Sequence, residues 1–253
     1  MTRLFGLIGF PLSHSFSKKY FSEKFLREKI ENTSYELFPL ESIGELSNLL
    51  VTQSDLKGLN VTIPYKQAVM PMLSELDVTA QKAGAVNTIK ITIKEGNPFL
   101  KGFNTDVYGF RQSLKPFLES QHDRALILGT GGASKAVAFV LDEIGIPYVF
   151  VSRHSKEDGK SLPYDALNAD VMKAFKLIVN TTPVGMYPTV DQCPPLPYEH
   201  LGSGHFLYDL VYNPVETLFM KEGKKRGALT QNGLDMLHMQ AEKAWEIWNN
   251  PAE

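Results

Sequence analysis

The stretch Arg124-Ala125-Leu126-Ile127-Leu128-Gly129-Thr130-Gly131-Gly132-Ala133-Ser134 decides the fold of half of this chain. A short apolar run stops at glycines, a helical pattern continues to about Ile144, and a second apolar run follows at Tyr148–Val151. Buried parallel strands read as unbroken apolar runs, so strand, glycine turn, helix and strand make a βαβ unit. Glycines there permit a tight turn and let backbone N–H groups approach an anion at the helix N-terminus. The third fingerprint position is Ser134 rather than glycine or alanine. Gly129, Thr130, Gly131, Gly132 and Ala133 therefore read either as a dinucleotide cradle or as a bare glycine turn.

The end of the second strand sharpens the choice. An NAD site usually has an acidic residue there to bond the ribose 2′-hydroxyl. This chain has Ser152-Arg153-His154-Ser155-Lys156. An arginine fork suits a 2′-phosphate, which favours NADP over NAD; the competing reading of Arg153 is a solvated loop charge. Further strands are expected at Leu177–Asn180, Phe206–Val211 and Ala228–Thr230.

The N-terminal part is also mixed. Apolar runs at Leu4–Ile8, Tyr35–Leu40, Gly58–Ile63, Val86–Ile93 and Phe99–Phe103 read as strands, with a hairpin turn at Glu95-Gly96-Asn97. Phe16, Tyr20, Phe21 and Phe25 recur at helical spacing over Ser17 to Lys29. Shorter helices are expected around Ile43–Leu50 and over Lys66–Leu73, and one over Val107–Leu118. The expected fold is α/β with two domains: residues 1–105, and a Rossmann-like domain over 106–232. A last helix from Gly233 carries Leu234, Leu237, Ala241, Ala244, Trp245 and Trp248 on one side and fits either domain by pattern alone.

Composition excludes several classes. With 253 residues, 43% hydrophobic and 21% charged, the chain is an ordinary globular one, and a net charge of −2 gives no electrostatic case for nucleic acid or an anionic membrane. Cys193 is the single cysteine, so there is no intrachain disulfide and no thiolate zinc set. The first apolar run ends at Pro11, too soon for a signal peptide, and no stretch nears the ~20 apolar residues of a membrane span. A cytoplasmic protein without a metal is expected.

Two residues have the chemistry of a proton-transfer pair. Lys66 follows the strand containing Asn60, Val61 and Thr62, at a helix N-terminus where a cation gains nothing from the dipole. Asp106 follows Asn104-Thr105 and precedes a helix. By pattern alone, a surface lysine and an N-cap aspartate explain them better.

Taken in series, His14-Ser15-Phe16-Ser17, Asn60-Val61-Thr62-Ile63-Pro64-Tyr65-Lys66, Gly84-Ala85-Val86-Asn87-Thr88 and Asn104-Thr105-Asp106 resemble the substrate-binding half of the shikimate dehydrogenases. The Gly129–Ala133 loop, Asn180-Thr181-Thr182, Tyr208-Asp209-Leu210-Val211-Tyr212 and Gln231-Asn232-Gly233-Leu234 through Gln240 resemble the rest of that family's pattern. The resemblance runs through essentially the whole chain. It implies NADP-dependent interconversion of 3-dehydroshikimate and shikimate, in aromatic amino-acid biosynthesis. It also implies Lys66 as acid/base with Asp106 as its partner, and Ser15 and Ser17 on the substrate carboxylate. Thr62, Asn87, Tyr212 and Gln240 would complete the substrate ring of donors and acceptors. Ser152, Arg153, Thr182, Leu210 and Gly233 would join the glycine loop at the cofactor, and the last helix would return to the first domain.

The chain departs from the family pattern at three places. Ser152-Arg153-His154 stands for Asn-Arg-Thr, with Lys156 the only later base nearby; Asp235 stands where glycine is common, and Leu210 where methionine is frequent. Two other readings stay open: a quinate/shikimate dehydrogenase using NAD or both cofactors, and a non-catalytic metabolite sensor on the same fold. The resemblance leaves open a monomer or a homodimer.

Overall fold

The computed structural model describes residues 2–12, 16–153 and 161–251. The chain divides into two compact units, Met1–Thr105 with Ala241–Glu253, and Asp106–Gln240.

In the first unit the elements run β1 (Arg3–Gly9), α1 (Phe16–Arg27), β2 (Thr33–Pro39), α2 (Leu46–Thr52), β3 (Leu56–Val61), α3 (Tyr65–Ala68), β4 (Glu75–Leu76), α4 (Val78–Ala83), β5 (Thr88–Lys94) and β6 (Asn97–Phe103). They build one sheet of order β2-β1-β3-β5-β6-β4. The strands β1, β2 and β3 are parallel, while β5 runs antiparallel to both β3 and β6. A two-residue turn of Glu95 and Gly96, both at positive φ, joins β5 to β6 in the expected hairpin.

Successive side chains of a strand face opposite ways, and β1 uses both faces. Leu4 and Ile8 pack with Leu59, Val61, Val86 and Ile89 in one core. Phe5 and Leu7 pack with Phe21, Phe25, Tyr35 and Trp248 in another. The second core is aromatic: Phe21 stacks on Tyr35 with centroids 4.6 Å apart, and Phe5 on Trp248 at 4.8 Å.

The second unit contains α5 (Thr105–Leu114, entering it at Asp106), β7 (Ala125–Leu128), α6 (Gly132–Glu143), β8 (Tyr148–Val151), β9 (Ser161–Leu162), α7 (Ala169–Ala174), β10 (Leu177–Asn180), β11 (Phe206–Asp209), α8 (Leu218–Lys225), β12 (Leu229–Gln231) and the start of α9 (Leu234–Asn249). Its sheet is parallel throughout, in the order β12-β11-β10-β7-β8-β9. The chain builds outward from β7 through β8 to β9, then restarts on the other side at β10. That reversal is the switch point where doubly wound sheets bind ligands, beyond the carboxyl ends of the strands.

The structure departs from the sequence reading in local ways. The single helix expected over Lys66–Leu73 is α3 followed by a 3-10 turn at Met70–Met72, because Pro71 supplies no N–H to continue the ladder. The sequence pattern does not single out α4, α7 or α8. Each is short and opens on a side-chain cap: Asp77 accepts from the Thr79 and Ala80 amides, Asn168 from Asp170 and Val171, Thr217 from Met220. Among the described residues no helix is long and apolar enough to cross a membrane.

The last turns of α9 are fastened to the first sheet. Trp248 Nε1 donates to the Ile89 carbonyl at 3.0 Å. The buried Lys90 ammonium donates to the Ile247 carbonyl at 3.0 Å and also to that of Asn250, where the helix leaves carbonyls unmatched. Lys90→Met should therefore lower the unfolding free energy by about 2 kcal/mol, the scale of hydrogen bonds from a charged donor. Both tryptophans, Trp245 and Trp248, lie in this helix segment. Urea unfolding followed by tryptophan fluorescence thus reads the first unit directly, and an unchanged midpoint would contradict the assigned role.

Candidate active site

In the first unit, buried amides and hydroxyls tie the ends of β3, β5 and β6 together. Asn87, buried at the start of β5, accepts from the Thr105 amide at 2.7 Å and donates through Nδ2 to the Thr105 hydroxyl at 2.9 Å. Asn60 Nδ2 donates to the Thr88 hydroxyl at 3.2 Å, and the Tyr35 phenol donates to Asn60 Oδ1 at 2.8 Å. Ser17, in the first turn of α1, hydrogen-bonds that same Tyr35 phenol, whose burial holds it protonated far above its ordinary range. Thr62 is held by its amide, which donates to the Ile8 carbonyl at 2.9 Å. Lys66 lies in α3, half-buried, and its carbonyl accepts from the Val86 amide at 2.7 Å, next to Asn87. Thr62, Lys66 and Asn87 are thus anchored at strand ends of one sheet, and Ser17 is tied to the side chain of Tyr35 on β2. Ser15 lies outside the described residues.

In the second unit, Asp106 is buried in the first turn of α5. One turn on, Gly109 lies against α9: a Cβ there would be 2.5 Å from the Met236 carbonyl oxygen and 3.2 Å from Gln240 Cβ. Asp106 and Gln240 therefore stand on two helices in close backbone approach. Tyr212 follows β11, half-buried, and burial raises its phenol.

A cleft of about 330 Å³ opens at the switch point of the second sheet. It is lined by Gly129, Thr130 and Gly131 after β7, by Ser152 and Arg153 after β8, and by Thr181 and Thr182 after β10. Tyr164 and Pro195 also line it. Gly129 has φ +99°, and a Cβ there would come within 2.9 Å of Thr182 Cγ2, so glycine is required twice over. Helix α6 starts at Gly132 behind Gly131, with no side-chain cap on its first amides. Ser134, the odd fingerprint position, is buried and turns its hydroxyl back to donate to the Gly131 carbonyl at 2.6 Å. The serine holds the loop closed, and helix amides remain for an anion. These residues fit a dinucleotide: a glycine turn against Thr182, an uncapped helix start and an arginine at the neighbouring strand end. Gly132 and Ala133 open α6; Leu210 and Gly233 pack together after β11 and before α9.

A buried carboxylate organises the cleft from behind, a role that motif reading does not reveal. Asp209 Oδ1 accepts from Asn180 Nδ2 at 2.9 Å and from the Val211 amide at 3.0 Å, while Oδ2 accepts from the Thr217 hydroxyl at 2.6 Å. Asn180 Oδ1 in turn accepts from the Thr182 amide at 3.0 Å and hydroxyl at 2.7 Å, which fixes the residue facing Gly129. Among the described residues, no group of three or more His, Cys, Asp or Glu side chains could hold a metal ion.

Burial pushes the Asp209 carboxyl up to about 6, against the lowering effect of its three donors. A carboxyl raised in the folded state binds its proton there at a pH where the unfolded chain has lost it. Its contribution to stability is full below the ordinary value of 3.8 and is lost as pH rises through about 6. A displacement of that size corresponds to about 3 kcal/mol. In Asp209→Asn the replacement amide can keep the bonds from Asn180 and Val211 and donate to Thr217. Melting temperatures of wild type and Asp209→Asn between pH 4 and 8 should differ by an amount that changes most between about pH 4 and 6 and levels off above that range; a constant difference would refute the raised value.

The first part of the chain, residues 7–89, matches the family model described as the shikimate dehydrogenase substrate binding domain. The NADP(+) shikimate dehydrogenase of Methanosphaera stadtmanae is 36% identical over 265 residues, covering 98% of this chain and 91% of that one. The crystal structure of the Thermus thermophilus enzyme with NADP(H) and shikimate superposes with a TM-score of 0.84 at 31% identity, over 98% of this chain and 94% of that one. Quinate dehydrogenase from Corynebacterium glutamicum with NAD gives a TM-score of 0.85 at 28% identity, again over 98% and 94%.

Proposed function

The chain belongs to the shikimate dehydrogenase family, and we propose that it reduces 3-dehydroshikimate to shikimate reversibly, with Lys66 as the acid/base and Asp106 as its partner. Bound NADP(H) supplies or accepts the hydride. The Lys66 ammonium stabilises the charge that develops on the substrate oxygen and delivers the proton; in the reverse direction it takes that proton back. Asp106 holds the lysine and the hydroxyl in register. Ser15 and Ser17 bind the carboxylate, and Thr62, Asn87, Tyr212 and Gln240 bind the ring hydroxyls. Substrate binding and catalysis are assigned to residues 1–105 with the end of α9, and NADP binding to the second unit, which runs to Gln240 rather than to 232.

The observation that carries the reading is the anchoring of Thr62, Lys66 and Asn87 at one set of strand ends. The Val86–Lys66 backbone bond joins the lysine's helix to the strand that carries the amide. Support for NADP comes from Arg153 at the end of β8 in the cleft, where the lining among the described residues includes no acidic side chain. The similarity to a quinate dehydrogenase supports a second reading, oxidation of quinate or use of NAD, since a pocket that merely tolerates an extra hydroxyl discriminates by only ~10²-fold.

Reduced-nicotinamide absorbance with shikimate or quinate, each against NADP or NAD, separates these readings. Fast reduction with shikimate and NADP alone is the expected result; comparable rates with quinate or NAD favour the second. Lys66→Ala should lower turnover by roughly 10²–10⁴-fold with a smaller change in substrate binding, and near-normal turnover would remove the lysine from the chemistry. Arg153→Ala should raise KM for NADP and leave that for NAD nearly unchanged; equal effects on both would end its assignment to the 2′-phosphate.

A further inference from the structure

We propose that Tyr164 is a second specificity-determining residue of the cofactor cleft, its hydroxyl donating to the phosphate on the adenosine 2′ oxygen beside Arg153. This rests on reading the cleft as an NADP site.

The sheet makes the placement. Strands β8 and β9 are parallel, with Phe150 opposite Ser161 and Val151 opposite Leu162. The Ser152 amide donates to the Leu162 carbonyl at 3.0 Å, so the pairing continues to the very end of both strands. Parallel strands finish at the same edge. The residues just beyond them, Ser152 and Arg153 on one and Pro163 and Tyr164 on the other, are therefore neighbours. Doubly wound sheets meet the adenosine ribose at the end of the second strand, which is β8 here. Strand β9 is the outermost strand on that side of the sheet, so Tyr164 bounds the cleft where a group on the 2′ oxygen would project.

The chemistry suits a phosphate. Tyr164 is half-buried on a single 3-10 turn, and burial raises its phenol despite the opposing charge of Arg153, so it stays an O–H donor. A phosphate monoester offers three strong acceptor oxygens, and a guanidinium fork engages two of them. A neutral hydroxyl can meet the third without adding a second cation. A ribose with a bare 2′-hydroxyl gives that phenol no charged acceptor, so the contribution is a difference between the two cofactors rather than general affinity.

Calorimetric titration of 2′,5′-ADP and 5′-AMP, which differ only in the 2′-phosphate, tests this on wild type, Tyr164→Phe and Arg153→Ala. Phenylalanine keeps the ring and removes only the donor. Tyr164→Phe should bind 2′,5′-ADP about tenfold or more weakly, the scale of a hydrogen bond to a charged group, and 5′-AMP unchanged. Equal weakening of both ligands would make Tyr164 a wall for the adenosine and overturn the proposal. Unchanged binding of both, with Arg153→Ala losing the 2′-phosphate preference, would overturn it while leaving the NADP reading intact. Wild type binding the two ligands equally would remove the NADP reading, and the proposal with it.

Discussion

A strand that ends inside a protein leaves backbone groups that have lost water and must find another partner, and this constraint shapes both units. The chain answers it with short side-chain amides. In the first unit the Val61 amide donates to the Asn87 carbonyl at 2.8 Å, while the Asn87 side chain takes the Thr105 amide. In the second, Asn180 takes the Thr182 amide and is itself held by Asp209. Buried amides of this kind cost stability unless every donor and acceptor is matched. Matched, they fix strand ends rigidly, and rigid strand ends are where a polar ligand can be met with little reorganisation.

Legibility in the sequence followed the strength of the local constraint. The runs at Leu4–Ile8 and Ala125–Leu128 are unmistakable because strands covered on both faces have no polar positions to spare. The glycine loop is legible because Gly129 needs a positive φ that few other residues adopt. The antiparallel course of β5 against β3 is not, since pairing direction leaves no mark on a single strand. Helices α4 and α7 span six residues each, too few to establish a period, although their caps are written plainly at Asp77 and Asn168. The roles of Asn60, Asn180 and Asp209 escape a linear reading for another reason. Each is defined by a partner on a different strand: Asn60 by Tyr35, and Asn180 by Asp209.

Substrate and cofactor choice rest on far fewer atoms than the fold does. Backbones superpose about equally well on a shikimate enzyme with NADP(H) and on a quinate enzyme with NAD. The framework is thus indifferent to a hydroxyl or a phosphate, and discrimination falls to side chains at strand ends. Ser134 illustrates how a departure from pattern can be silent: its hydroxyl is spent on the loop that carries it.

The interleaving of the two units has a consequence for biosynthesis. The second unit is one continuous stretch, whereas the first needs Ala241 onward to complete its aromatic core. A ribosome adds all of Asp106–Gln240 to the chain before it adds Trp248, which stacks on Phe5. The earlier part therefore waits through the synthesis of the whole second unit with an apolar face in need of cover. Closing so long an intervening loop costs little extra entropy, because that cost grows only with the logarithm of its length. The penalty is one of time, borne by a nascent chain whose first strand is among the last to be covered.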